Sequence, residues 1–329
     1  MTKPILNTIL AIIAIALLYI AGPKPNKAIY SQSWPNVPST ADSLEHFIAQ
    51  KESKYKLRPN NEARIVWFDS TRSQTEYVVL YLHGFSASQG EGDPVHQKFA
   101  KSIGANLYLT RLQGHGQDTV PQLATFTAEG GYKDALEALS IAQKLGKKVI
   151  IMSTSTGGTF AIKLAAEFPN KVHTLINLSP NLALATPAGR LLNNHWGKQI
   201  ATLVFGGSER YVEQKNGAGE YWDSLYTVNA LVQLEELIET TMLPETFKKV
   251  KCPALTLYYY KNDVNRDSVV DIFKIPEAHE LFATPANQKQ FVALASPQNH
   301  VLASPYKSKD VEIVYKTITD WWDEMNNNN

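Results

Sequence analysis

The chain has 329 residues, long enough for one large α/β domain or two smaller ones. A formal net charge of +1 and an ordinary apolar content of 44% give no reason to expect a nucleic-acid partner. The one cysteine, Cys252, excludes an internal disulfide and a cysteine-rich zinc site, and its place beside Pro253 before a strand-like run favours burial.

Ile5 to Ala21 is almost wholly apolar, with Lys3 ahead of it and Lys24 and Lys27 behind. About seventeen residues is the lower edge for a membrane-spanning helix and more than a signal peptide's apolar region needs. No small-x-small cleavage site closes the run at Ala21-Gly22-Pro23, which favours an uncleaved signal-anchor over a cleaved signal peptide at residues 1–22. Lysines on both sides leave the orientation open. The main domain is then expected to be membrane-anchored or exported, on the periplasmic side of a cell envelope. Residues 23–40, with Pro23, Pro25, Pro35 and Pro38, read as an extended tether.

The main domain is expected over residues 41–325. Asp42-Ser-Leu-Glu45 suits the cap of a short helix reaching about Lys54. Residues 63–68 and 76–82 read as strands, and the second is too continuously apolar for a surface strand. Asp93-Pro94 opens a helix with a Val95, Phe99, Ile103 stripe, followed by a strand over 106–112. Tyr132, Ala135, Leu136, Leu139 and Ala142 lie at helical spacing. Strands over 149–152 and 173–178 enclose a helix ending near Phe168. This alternation argues a mostly parallel sheet with right-handed crossovers and helices on both faces. Residues 181–250 break the rhythm and read as a helical cap, with helices over 226–240 and 243–249. Strands over 253–260 and 289–295, a helix over 310–322 and a polar tail at Asn326–Asn329 complete the chain.

Chemistry concentrates where the strand at 149–152 ends, in Ser153-Thr-Ser-Thr-Gly157. An apolar strand, a turn of small residues and then a helix describe a nucleophile elbow, which lifts one serine oxygen clear of the sheet. Ser153 stands where that pattern usually has glycine, and Gly157 keeps the second glycine. A polar turn with a Ser or Thr helix cap is the plain alternative. A serine nucleophile at Ser155 needs a base and an orienting acid, each at the end of a later strand. His300, in the polar loop Ser296-Pro-Gln-Asn-His300, is the candidate base. His46, His96, His173 and His279 fall in or beside helices and strands, where structural roles suffice, and His195 in the cap could at most touch substrate. Two aspartates follow the strand at 253–260. Asp263 has the spacing of a residue directly after it, whereas Asp267 heads Asp-Ser-Val-Val270, whose apolar pair can pin the loop onto the sheet. We take Asp267 as the acid, with Asp263 as its alternative.

With these residues in place, the chain resembles the α/β-hydrolase superfamily, and within it the capped monoglyceride-lipase, lysophospholipase and carboxylesterase-like branch. The resemblance lies in His83-Gly84-Phe85, Arg111-Leu-Gln-Gly-His-Gly116, Ser153 to Gly157, Asp267 to Val270 and His300. It implies an α/β-hydrolase fold with a helical cap at 181–250. It also implies an oxyanion hole made by the Phe85 and Thr156 N–H groups and a structural role for His115. No metal or cofactor enters the implied mechanism. The resulting expectation is a serine hydrolase of carboxylic esters, lipid-type or other, acting through an acyl-enzyme on a small-molecule substrate. Amide or thioester cleavage, or a non-catalytic protein of the same fold that binds at the envelope, are the alternatives. Aromatic residues Trp196, Phe205, Tyr211, Tyr221, Trp222 and Tyr226 either pack the cap or line an acyl pocket.

Overall fold

The structure, a computed structural model, describes residues 3–327. After the apolar helix α1 (Lys3–Ile20), the chain runs extended to α2 (Ala41–Glu52). This extended stretch is held along its length. Ala28 N–H donates to Glu236, Ile29 N–H to Glu129, and the Ser140 hydroxyl to the Pro35 carbonyl. The expected tether is therefore a strap lying on the domain. The cap of α2 is Thr40, whose side chain accepts from Ser43 N–H. Asp42 lies in the first turn and pairs with Arg72.

The core is built from β1 (Arg64–Val66), β2 (Thr75–Leu82), α3 (Val95–Ser102), β3 (Asn106–Leu109), α4 (Ala128–Leu145), β4 (Gly146–Thr154), α5 (Thr156–Glu167) and β5 (Thr174–Leu178). Asp93 does not cap α3; its carboxylate accepts from the Gln97 side chain, and the helix begins one residue after Pro94. Strand β3 stops earlier than its apolar run because the Leu112 N–H leaves the ladder for the His83 ring. The cap follows, with α6 (Gly197–Phe205), a hairpin of β6 (Glu209–Tyr211) and β7 (Leu225–Thr227), α7 (Val228–Thr241) and α8 (Pro244–Phe247). The core resumes with β8 (Ala254–Tyr259), α9 (Lys274–Leu281), β9 (Lys289–Leu294) and α10 (Val311–Asn327). Asn326 and Asn327 continue α10, and the rest of the expected polar tail lies outside the described residues.

The seven strands lie in the order β1-β3-β2-β4-β5-β8-β9, all parallel except β1, which runs antiparallel to β3 at one edge. Alternation sends Val78, Leu80, Leu82, Val149 and Ile151 to one face, under α2, α4, α5 and α9. Val79, Tyr81, Ile150, Met152, Ile176 and Leu257 face the other way, onto α3 and α10. Burial on both faces explains why β2 and β4 read as unbroken apolar runs. Each such buried side chain stabilises the fold by about 1.5–3 kcal/mol. The parallel arrangement also puts the C-terminal ends of β2, β4, β8 and β9 on one edge of the sheet. That edge carries the site.

Candidate active site

At the end of β4 the chain turns so sharply that Ser155 takes φ 52° and ψ −118°, a conformation strained for any residue but glycine. Three hydrogen bonds hold it there. Ser155 N–H donates to the Leu178 carbonyl, and its own carbonyl accepts from Gly158 N–H and Asn181 N–H. Gly157 is required by contact rather than by φ, since a Cβ there would lie 2.0 Å from the Leu82 carbonyl oxygen. Ser153 is accommodated because its buried hydroxyl donates to the Asn177 side chain on β5, at 2.8 Å. A polar partner on the next strand thus stands where the usual glycine needs none.

The long loop after β8 folds back on itself. Tyr260 and Arg266 form an antiparallel bridge, Lys261 N–H donates to the Asn265 carbonyl, and Asp267 N–H returns to the Tyr259 carbonyl. Residues 260–266 are therefore a small excursion, after which Asp267 occupies the space of a residue that directly follows the strand. Its Oδ1 accepts from Val269 N–H at 2.8 Å and Val270 N–H at 3.2 Å, which fixes the carboxylate. Its Oδ2 lies 2.6 Å from His300 Nδ1. Of the two valines only Val270 is buried. Val269 is exposed and holds the loop through its carbonyl, which accepts from Ala185 N–H. Asp263 is on the exposed excursion, bonded to the Tyr260 hydroxyl, and among the described residues it makes no hydrogen bond to the histidine.

Burial alone would raise the Asp267 carboxyl, but the His300 charge and hydrogen bond and the two valine N–H groups outweigh it and hold the acid below its ordinary value. Burial would lower His300. The Asp267 charge and hydrogen bond, with a contribution from Glu91, raise it instead. An ionised carboxylate only accepts, so the neutral His300 ring carries its proton on Nδ1 and leaves Nε2 as a base. Among the described residues no hydrogen bond yet joins Ser155 Oγ to His300, and such bonds commonly tighten only around substrate.

Phe85 and Thr156 N–H groups donate to no protein acceptor among the described residues. Thr156 opens α5, so its N–H also sits at the positive end of the helix dipole. The loop carrying Phe85 is fixed by His83, fully buried and lowered to about 4 by burial, hence neutral. Its Nε2 accepts from Leu112 N–H, so Nδ1–H donates to the Gly84 carbonyl. The His115 ring packs edge-on against His83 and Phe85 and plays no part at Ser155.

A family profile described as serine aminopeptidase, S33, matches residues 73–218, from β2 through the elbow into the cap. No curated protein sequence matches the chain. Solved structures do. One of the metagenome-derived lipolytic enzymes LipS and LipT superposes with a TM-score of 0.64 at 20% identity, covering 81% of this chain and 98% of the other. A monoacylglycerol lipase from Paleococcus ferrophilus gives 0.58 at 16% identity, covering 79% and 96%. Est1E from Butyrivibrio proteoclasticus gives 0.55 at 15%, covering 80% and 93%. The chain therefore has the α/β-hydrolase fold.

Within this α/β-hydrolase fold the site holds a carboxyl that the sequence did not point to. Glu91 is buried between the loop carrying Phe85 and the cap, with Oε2 2.6 Å from Gly84 N, and it faces His300, the Trp222 indole and Lys307. Burial raises it to about 7, against the Gly84 N–H, His300, Trp222 and Lys307, all of which lower it. Because the folded value exceeds the unfolded one, this group stabilises the fold at acid pH and loses that contribution as pH rises through 7. Urea unfolding of wild type and Glu91→Gln should therefore diverge between pH 4.5 and 7.5, the variant gaining by up to about 3 kcal/mol. A difference that stays flat with pH rejects the raised carboxyl.

The cap aromatics divide into two groups. The Tyr226 ring packs edge-on against Phe85, while Trp222 is buried with Val301 beside His300. Tyr221 stacks with Tyr306 nearby. Phe205 and Tyr211 are exposed instead, and Trp196 and His195 bond to the end of α1, away from Ser155. An apolar cluster of Leu123, Phe126, Tyr226, Leu231 and Leu234 reaches Phe85.

Proposed function

We propose that the chain is a serine hydrolase of carboxylic esters. The observation that carries this reading is the strained Ser155 elbow sharing one sheet edge with the 2.6 Å His300–Asp267 pair and two uncommitted N–H groups. His300 Nε2 takes the Ser155 proton as the oxygen attacks the ester carbonyl. Phe85 and Thr156 N–H groups hold the oxyanion, each contributing roughly 3 kcal/mol in the transition state. The imidazolium then protonates the leaving alcohol, and in the second half it activates water against the acyl-enzyme. Throughout, Asp267 fixes the tautomer. The apolar cluster beside Phe85 receives the acyl chain. Helix α1 anchors the enzyme in a membrane with the catalytic domain exported, close to lipid-derived esters.

The S33 profile match favours a second reading, cleavage of an amide rather than an ester. One experiment separates them. A fluorophosphonate probe should label the full chain on the tryptic peptide containing Ser155. Hydrolysis of acetyl, butyryl and octanoyl p-nitrophenyl esters should show kcat/KM rising along the series, since each buried methylene adds up to about 0.8 kcal/mol. Labelling with p-nitroanilide turnover but negligible ester turnover would move the assignment to amides. Neither labelling nor turnover of any substrate would leave a binding protein. A flat ester series would remove the acyl pocket and keep the hydrolase.

A further inference from the structure

Every side chain of α1 is exposed, and the helix is apolar from Pro4 to Ile20 apart from Asn7 and Thr8. At about 1.5 Å per residue its length is that of a bilayer's hydrocarbon core. Its end is tied to the cap. The Pro23 carbonyl accepts from Trp196 N–H at 2.9 Å, the Gly22 carbonyl from the His195 ring at 2.7 Å, and the Leu18 carbonyl from the Trp196 indole at 3.1 Å. The Tyr19 ring meets His195 edge-on, and Gly22 lies so close to the Trp196 indole that no Cβ fits between them. Helix α6 therefore begins where α1 ends.

Helix α6 is itself inverted in polarity. Only Gly197 and Ala201 are buried, while Ile200, Leu203 and Val204, at i, i+3 and i+4, form an outward row with Leu203 83% and Val204 73% exposed. Phe205 and Leu191 extend it on either side. A helix in water shows the reverse pattern. Exposed Lys24, Lys27, Arg190, Lys198 and Arg210 lie on this part of the chain, against Glu209 and Glu239, an excess of cations that suits an anionic headgroup layer.

We propose that α6 docks on the lipid bilayer beside α1, so that anchor and cap form one membrane-contacting surface. Leu191 on this surface adjoins Leu192, which packs on the apolar cluster reaching Phe85. Docking thus places the bilayer against the turn that covers the acyl side of the site. This rests on α1 being kept as an anchor, not on the ester chemistry.

The test uses the full chain in vesicles of phosphatidylcholine and phosphatidylglycerol. Cys252 is buried and leaves wild type as an unlabelled background. A bimane label is placed on Leu203→Cys, Val204→Cys and, as a control on α10, Glu324→Cys. The α6 labels should emit to the blue of the control, be quenched several-fold more by doxyl-labelled lipid, and be shielded from aqueous iodide. Iodide quenching equal to that of the control overturns the proposal. So does shielding from both quenchers, which would put a protein partner on the face. Alkaline carbonate washing reads the anchor separately, since release of the chain from the vesicles means that α1 does not span. Turnover of a soluble acetyl ester by Leu203→Cys reports the hydrolase chemistry, which stands or falls independently.

Discussion

Asp267→Asn should lower kcat about 10⁴-fold with KM little changed, while Asp263→Asn leaves kcat within about twofold. The fold gives no reason for Asp267→Asn to misfold, because an asparagine carbonyl can still accept from Val269 and Val270 N–H. What changes is the atom facing His300. An amide turned towards Nδ1 donates where the carboxylate accepted, so the imidazole proton moves to Nε2 and the ring can no longer take the Ser155 proton. Among the described residues Asp263 meets only the Tyr260 hydroxyl and, at 4.0 Å, Arg266. Steady-state kinetics on a p-nitrophenyl ester at pH 8 decide between them. A large loss in Asp263→Asn alone would transfer the role to that residue. Two small losses would point to Glu91, the other carboxyl facing His300. The wild-type profile carries the same signature. Activity needs neutral His300, whose value is raised, so kcat/KM should fall on the acid side with a limb above the ordinary histidine value near 6.5.

How far the sequence revealed this site depended on whether each residue's role is local. The central strands were legible because burial on both faces leaves an unbroken apolar run, as in Val78 to Leu82 and Val149 to Met152. The elbow was legible because strand, turn and helix adjoin in the chain. Helix α6 was not, because its apolar row points outward and so carries no signal of a core. Helix α9 was also missed, with Pro276 inside it and a mixed pattern around. Thr40 displaced Asp42 as a cap because either residue type fits that position, and only the backbone selects one. Glu91 was invisible for a different reason. Its burial is made by Gly84, Trp222, His300 and Lys307, which come from segments far apart in the sequence, so no local pattern marks it. The long loop kept Asp263 open as the alternative by spacing alone, since an excursion that closes on itself adds residues without adding distance.

Ser155→Ala should lower kcat about 10⁶-fold and abolish fluorophosphonate labelling, and His300→Ala should cost nearly as much. The decisive measurement is the double variant. If oxygen and imidazole act as one unit, removing both costs no more than removing either, because each is useless without the other. Additive losses would instead describe two residues that bind substrate independently. Residual activity of about 10³–10⁴-fold over water should survive in all three variants, supplied by substrate positioning and the two N–H donors. That residue depends on loop geometry held by groups the substitutions leave alone: His83 on the Gly84 carbonyl, Glu91 on the Gly84 N–H, and Gly157 against the Leu82 carbonyl. Adding Gly157→Ala to Ser155→Ala, with its added Cβ 2.0 Å from that carbonyl oxygen, should therefore remove the residual rate that Ser155→Ala alone retains. Equal rates in the single and double variants would mean that the oxyanion donors lie elsewhere.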